Sequence, residues 1–336
     1  MSWRGRELRL ATRPRGEPTV DDFALAEATV HEPEEGRLVV RNAYFSLDPY
    51  MRLPMTDIRS DFRAPCPLGQ ALPGGAVGRV LASRHPAFGD GDWVVHNAGW
   101  REIALVEGAG VTRLDPAPTP VSTALGVLGM PGFTAWYGST YVGRPEAGET
   151  VYVSSAAGAV GSVAGQIARI RGARVIGSAG SEGKVAWLRE LGFDGAFNYR
   201  DTPAGEALRA LAPDGIDLYW DNVGGEQLEA AIGALRPNGR VVACGGVALY
   251  NEPGLTPGPR NLHLLFTREL TVRGFRYSTH LEHYAAFEAE VGAWVREGRV
   301  RYRETVVDGI ENAPAAFVGL FRGDDIGKLV VRLSEP

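Results

Sequence analysis

The chain has 336 residues, 44% hydrophobic and 22% charged, with a formal net charge of −5. That length allows two domains with cores of their own, and the mild acidity offers no footprint for nucleic acid. No apolar run reaches transmembrane length, WRGRELRL lacks the apolar core of a secretion signal, and Cys66 and Cys244 are too few for a disulfide framework or structural zinc. The expectation is a soluble protein of a reducing cytoplasm, with no nucleic-acid or membrane partner.

Residues 1–118 are dense in short strands and turn residues. RLVVRNAYFSL and GDWVVHNAGWREIALVE read as strands separated by clusters such as PLGQALPGG. Arg4, Arg6, Arg9, Arg13 and Arg15 alternate with Leu8 and Leu10, a pattern that fits a solvated strand edge better than a basic arm. The stretch is a β-rich unit of barrel or sandwich type. Pro116, Pro118 and Pro120 mark a boundary.

From 121 strands and helices alternate. Val151 to Ser154 is a short β-branched run, a buried strand. The small-residue turn Ala156-Ala157-Gly158-Ala159-Val160-Gly161 follows. Val160, Val163, Ala164, Ile167 and Ala168 then recur at helical spacing until Gly172, and Arg174 to Gly177 opens a second strand. Strand, glycine turn, helix and strand make the first half of a dinucleotide-binding domain. At Gly158 the missing Cβ lets backbone approach a pyrophosphate, the helix start offers unpaired N–H groups and a positive dipole end, and Gly161 lets helix pack on strand. Ala156 replaces the first glycine of the G-x-G-x-x-G pattern, so an ordinary crossover turn is the competing reading.

The series continues with helix SEGKVAWLREL capped by Ser181, strand AFNY, and helix TPAGEALRAL with Thr202 as cap and Pro203 at its first position. Strand IDLYWDNVGG, helix EQLEAAIGAL, strand RVVACGG and strand LTVRGF come next, then an amphipathic helix over 281–297. This order predicts an α/β fold with a doubly wound, mostly parallel sheet. The tail 299–334 returns to strand-like VRYRETVV and GKLVVRL, so the C-terminus is expected to complete the β-rich domain. The predicted division is 1–120 plus 298–336 against 121–297.

Cofactor choice is read just past the second strand. An enzyme for NAD places an acidic residue there for the ribose 2′-hydroxyl, whereas here Ser178-Ala179-Gly180 leads to Ser181 and Lys184 at a helix start. Hydroxyl, ammonium and N–H groups suit a 2′-phosphate, hence NADP(H). Lys184 is one of two lysines, with Lys328. Against this, Ser181 serves equally as a plain cap, Lys184 as a solvated side chain, and Glu182 would repel phosphate or serve a ribose. The six histidines lie near neither cysteine in sequence, and His280 with His283 reads as a structural pair, so no metal is expected.

Several stretches, in order along nearly the whole chain, carry a resemblance. They are Tyr44-Phe45-Ser46-Leu47-Asp48-Pro49-Tyr50-Met51-Arg52, Gly129-Met130-Pro131-Gly132-Phe133-Thr134-Ala135, Ala156 to Gly161, Asp221-Asn222-Val223-Gly224-Gly225, Cys244-Gly245-Gly246 through Tyr250-Asn251, and Gly327-Lys328. The chain resembles the zinc-free medium-chain dehydrogenase/reductases, in the branch of prostaglandin reductases and 2-alkenal double-bond reductases. The resemblance implies a GroES-like β-rich catalytic domain beside a Rossmann domain. It also implies Gly158, Ala159, Val160 and Gly161 under the pyrophosphate, and Lys184 and Tyr199 at the 2′-phosphate. Thr134, Asn222, Cys244, Gly245, Tyr250, Phe275 and Tyr277 would line the ribose and nicotinamide channel. The branch carries asparagine where this chain has Asp325, and a carboxylate cannot donate as an amide does.

The implied reaction is NADPH-dependent reduction of a C=C bond conjugated to a carbonyl, with Tyr250, or Tyr44 from the β-rich domain, donating to the developing enolate oxygen. Either tyrosine also fits plain packing. A quinone reductase and a non-catalytic NADP-binding protein are the competing functions. The strand Thr271–Gly274 would be the sheet's last, and its edge predicts a homodimer.

Overall fold

Runs of β-branched and aromatic residues, broken by glycine and proline, build the first part of the chain. The strands are β1 (Ser2–Leu10), β2 (Phe23–His31), β3 (Arg37–Ser46), β4 (Ala76–Ser83), β5 (Trp93–His96), β6 (Ile103–Glu107) and β7 (Thr112–Leu114). Alternation then gives way to helix α1 (Met130–Tyr137), β8 (Thr150–Val153), α2 (Gly161–Ile170), β9 (Arg174–Ala179), α3 (Glu182–Glu190), β10 (Gly195–Asn198) and α4 (Ala204–Leu211). The series continues with β11 (Ile216–Asp221), α5 (Gly225–Ala234), β12 (Leu235–Ala243), α6 (Leu264–Thr267), β13 (Thr271–Gly274) and α7 (Tyr284–Arg296). Strand β14 (Glu304–Asp308), helix α8 (Ala313–Arg322) and β15 (Lys328–Arg332) close the chain. This computed structural model describes residues 1–58, 64–252, 254 and 256–334.

Two units result. One comprises Met1–Leu125, Glu304–Asp325 and the chain from Leu329; the other comprises Gly126–Arg303 and Ile326–Lys328. The first unit thus runs to Leu125 and resumes at Glu304. Among the described residues no helix is long and apolar enough to cross a membrane.

In the first unit β3 is central. It pairs antiparallel with β4, β6 and β15, so the C-terminal strand lies beside Tyr44, Phe45 and Ser46. The core gathers around Trp100, fully buried and stacked 5.2 Å from Phe23, with Phe317 of α8 edge-on at 5.5 Å. Burial of rings of this size contributes several kcal/mol each. The N-terminal arginines are held at the surface by partners: Arg6 pairs with Glu102, and Arg13 donates to the carbonyls of Met55, Thr56 and Cys66.

The second unit holds a six-stranded sheet in the order β10-β9-β8-β11-β12-β13, parallel at every pairing. Its central strands β8, β9 and β11 are buried nearly throughout, as doubly covered parallel strands must be. Val151 and Val153 join one buried cluster with Val163 and Ile167 of α2, while Tyr152 between them joins another with Leu208 of α4 and Ala231 of α5.

Three expectations need correction. Helix α4 takes Pro203, not Thr202, as its cap residue, with extended ψ of 140° and no side-chain capping bond. The tail is not all strand: α8 lies inside it, with Pro314 in the first turn and Gly323 left-handed (φ 75°) at its end. The helix over 281–297 begins as a 3₁₀ turn, Leu281–His283, and becomes α-helical only from Tyr284.

Candidate active site

The turn after β8 is shaped by what a side chain would hit. Ser155 takes the left-handed φ of 47°. Its carbonyl accepts from Gly158 N–H at 3.1 Å, and Ser162 N–H reaches Gly158 O at 3.0 Å to start α2. A Cβ on Gly161 would stand 2.5 Å from Ser155 O and 2.9 Å from Ala156 Cα, so only glycine allows this approach of helix to turn. At Gly158 the nearest atoms are 3.3 and 3.4 Å away, both on Ser155, so the fold's own need for glycine is weaker there. Ala159 and Val160 complete the turn. The first N–H groups of α2 have no intrahelical acceptor and carry the positive end of its dipole.

The residue just before β15 lies on this turn. Gly327 N–H donates to Ala157 O at 2.8 Å, and Gly327 forms an isolated parallel bridge with Gly158. Gly327 has φ 74°, and a Cβ there would meet Arg303 O at 2.1 Å. Asp325 is two residues upstream of that bridge.

At the end of β9, Ser181 is the cap of α3, its Oγ accepting from Lys184 N–H at 3.4 Å. Tyr199 N–H donates to Ala179 O at 3.0 Å, and its ring lies against Gly180, where a Cβ would be 2.9 Å from the hydroxyl. Exposed Tyr199 thus lies against Gly180, next to the Ser181 cap, and half-buried Lys184 stands in the first turn of α3.

At the ends of β11 and β12, Asn222 bridges strands: Nδ2 donates to Ser154 O at 2.7 Å and Oδ1 accepts from Trp220 Nε1 at 3.1 Å. Cys244 and Gly245 donate their N–H groups to Asp221 O at 2.9 and 3.0 Å. Loss of water, reinforced by the charge of Asp221, pushes the Cys244 thiol up to about 12, which leaves it protonated and a poor nucleophile. The Tyr250 hydroxyl accepts from Gly246 N–H at 3.5 Å, so its own hydrogen remains to be donated. Burial raises its pKa, with the Gly246 N–H opposing. Next to it, Asn251 Oδ1 is buried with no hydrogen-bond partner among the described residues.

Other predicted positions are engaged in packing. Thr134 is buried and its hydroxyl donates to Met130 O at 2.7 Å, the back-bond usual for threonine within a helix. Phe275 packs on Gly138, 5.6 Å from Tyr137 and 6.5 Å from Trp220, and Tyr277 borders the same cluster. His280 stacks on Tyr137 at 4.2 Å, and His283 lies 4.6 Å from Tyr141, a structural use of the pair. Tyr44, half-buried on β3, packs against the cluster of Val77, Val121, Leu125 and Val330. Among the described residues no three His, Cys, Asp or Glu side chains are grouped to hold a metal ion. Sequence reasoning gave no role to the Asp221 side chain. Its signal was a carboxylate on an apolar strand immediately before Asn222.

Residues 6–114 match a family described as the N-terminal domain of oxidoreductase, and residues 159–292 one described as zinc-binding dehydrogenase. The chain is 40% identical to the NADPH-dependent curcumin reductase of Escherichia coli (strain K12) over 98% of its own length and 97% of the relative's. It is 39% identical to prostaglandin reductase 1 of Bos taurus, over 94% and 95%. A crystal structure of CurA in complex with NADPH from Vibrio vulnificus matches with a TM-score of 0.94 and 38% identity, covering 98% of this chain and 100% of that one. With full-length likeness at this identity, a parallel nucleotide-type sheet and an antiparallel β-rich unit, the chain belongs to the zinc-independent branch of the medium-chain dehydrogenase/reductases that holds the curcumin and prostaglandin reductases.

Proposed function

We propose that this protein is an NADPH-dependent reductase of C=C bonds conjugated to a ketone or aldehyde. The observation that carries it is the cluster at the end of β9. An NAD-type acid is missing at Ser178-Ala179-Gly180, while Tyr199 lies on Gly180, Ser181 caps α3 and Lys184 stands in its first turn, a set of residue types suited to a 2′-phosphate. Relatives of the same length carry NADPH in their names. The orphaned acceptor Asn251 Oδ1, of the kind a ribose hydroxyl satisfies, and the glycine turn both fit the nucleotide.

When bound, the cofactor supplies the hydride. Gly158, Ala159, Val160 and Gly161 would take the pyrophosphate at the start of α2, and Asn222, Cys244 and Gly245 would border the ribose. Thr134, Phe275 and Tyr277 would shape the nicotinamide wall by packing. Asp325, where the branch carries an amide, could offer the nucleotide an acceptor only. Tyr250 would donate its hydrogen to the substrate carbonyl as negative charge develops there; its raised pKa keeps that hydrogen in place at neutral pH. Tyr44 is the second candidate donor, and its apolar packing favours a structural hydroxyl. The proton for the α-carbon would come from water.

We extend the reading to a homodimer. All four residues of the edge strand β13, Val272 among them, are exposed, as is Phe266 of the preceding α6. A monomeric sedimentation profile would remove that claim. The unpaired Cys66 and Cys244 agree with a reducing cytoplasm.

The test supplies purified protein with NADPH and either a simple enone or a quinone. Saturated ketone from the enone supports the reading. Turnover confined to the quinone supports a quinone reductase, and tight NADPH binding without turnover on either supports a non-catalytic role.

A further inference from the structure

Asp221 is a carboxylate with 3% exposure and, among the described residues, no ion pair. Its Oδ1 accepts from Tyr219 Oη at 2.8 Å, Gly224 N–H at 2.8 Å and Val223 N–H at 3.0 Å. Burial raises its pKa, and those three bonds pull it back. A buried anion held only by neutral donors costs stability unless its geometry does something else.

The backbone beside it supplies that something. Asp221 O accepts from Cys244 N–H and Gly245 N–H at 2.9 and 3.0 Å, Asn222 O from Val247 N–H at 3.2 Å, and Val223 O from Ala248 N–H at 3.1 Å. Successive carbonyls of 221–223 therefore act as a template for residues 244–248, the loop whose Gly246 N–H meets the Tyr250 hydroxyl. The template is bent into shape at the positive-φ glycines Gly224 (74°) and Gly225 (53°), and the Asp221 carboxylate closes it by gripping the N–H groups of Val223 and Gly224.

We infer that Asp221 is a positioning residue, which sets the Cys244–Tyr250 loop through the 221–224 turn and so controls both nucleotide binding and the aim of Tyr250. The inference rests on the reading of this site given above, but its first readout needs no substrate.

Asp221→Asn keeps size and removes the charge. Calorimetry with NADPH well below the melting temperature is expected to show Kd raised about tenfold, and kcat with an enone lowered about tenfold, because a neutral amide oxygen is a weaker acceptor for three donors. Tyr219→Phe, which removes one donor and leaves the charge, is expected to raise the NADPH Kd about threefold. It answers the question even where Asp221→Asn does not fold. NADPH Kd within twofold of the parent in a folded Asp221→Asn, or in Tyr219→Phe when that alone folds, overturns the inference. An enone-inactive parent whose NADPH Kd still responds to these changes would sink the reductase reading and leave this one standing.

Discussion

The ring of Tyr199 rests on Gly180: a methyl group at residue 180 would stand 2.9 Å from the tyrosine hydroxyl and 3.2 Å from the carbon that bears it. The contact fixes Tyr199 over the start of α3, where Ser181 and Lys184 lie. Gly180→Ala is expected to push the ring aside and weaken NADPH by about threefold to tenfold while leaving NADH unchanged. Lys184→Ala should cost more, about tenfold or above, with the same indifference to NADH. Paired titrations with the two nucleotides measure this directly. Equal losses for both would show that the cluster does not read the 2′-phosphate.

The two glycines of the turn make separable demands. Gly161→Ala places a Cβ 2.5 Å from a backbone oxygen, which only a shift of α2 can relieve. Such overpacking is expected to cost about 2 kcal/mol or more in urea unfolding. Gly158→Ala meets atoms at 3.3 Å and should leave stability within about 1 kcal/mol, yet lose NADPH affinity by about tenfold. A stable, tightly binding Gly158→Ala protein would contradict its place under the pyrophosphate.

Much of this geometry was legible in the chain. Strand β8, the turn, helix α2 and its stop at Gly172 (φ 88°) follow from local periodicity and small residues, as does the Ser181 cap. What escaped was decided by tertiary context. Helix α8 lies between two strands and is anchored by Phe317 edge-on to Trp100, a contact no local pattern announces. Pro203 takes the cap of α4 because its fixed φ of −54° tolerates an extended ψ, and a Thr-Pro pair does not reveal which of the two will do so. The local use of Thr134 and Phe275 was not legible either: the Thr134 hydroxyl turns to its own helix and the Phe275 ring packs on Gly138. The seating of residues 244–248 on the carbonyls of 221–223 depends on register between β11 and β12, set by the sheet rather than by spacing.

Acid stability should report on the first unit. His96 has 4% exposure, its Nδ1 accepts from Ala98 N–H at 3.1 Å, and its Nε2 lies 2.9 Å from Asn42 Oδ1, which fixes a neutral ring with its hydrogen on Nε2. Burial, with the charge of Arg101, lowers its pKa from 6.5 to about 3. The unfolded chain takes up this proton first, so the contribution is complete above pH 6.5 and drains away as pH falls toward 3. The loss at the limit is on the order of 5 kcal/mol. Urea midpoints from pH 7 to 4 should fall more steeply for the parent than for His96→Gln; parallel slopes would show that His96 is not the group responsible.

Tyr250→Phe removes the proposed donor and little else. Turnover of an enone should fall by roughly two powers of ten, the worth of one positioned donor to a developing oxyanion, with NADPH Kd unchanged. Full activity in that variant would move the role to another group.

The most direct measurement of the central claim uses NADPH carrying deuterium at the transferable position of its nicotinamide and a simple enone, with the product read by mass and NMR. The account predicts a saturated ketone with the label on the β-carbon. An allylic alcohol labelled on the former carbonyl carbon, or no labelled product from a protein that binds NADPH, would contradict it.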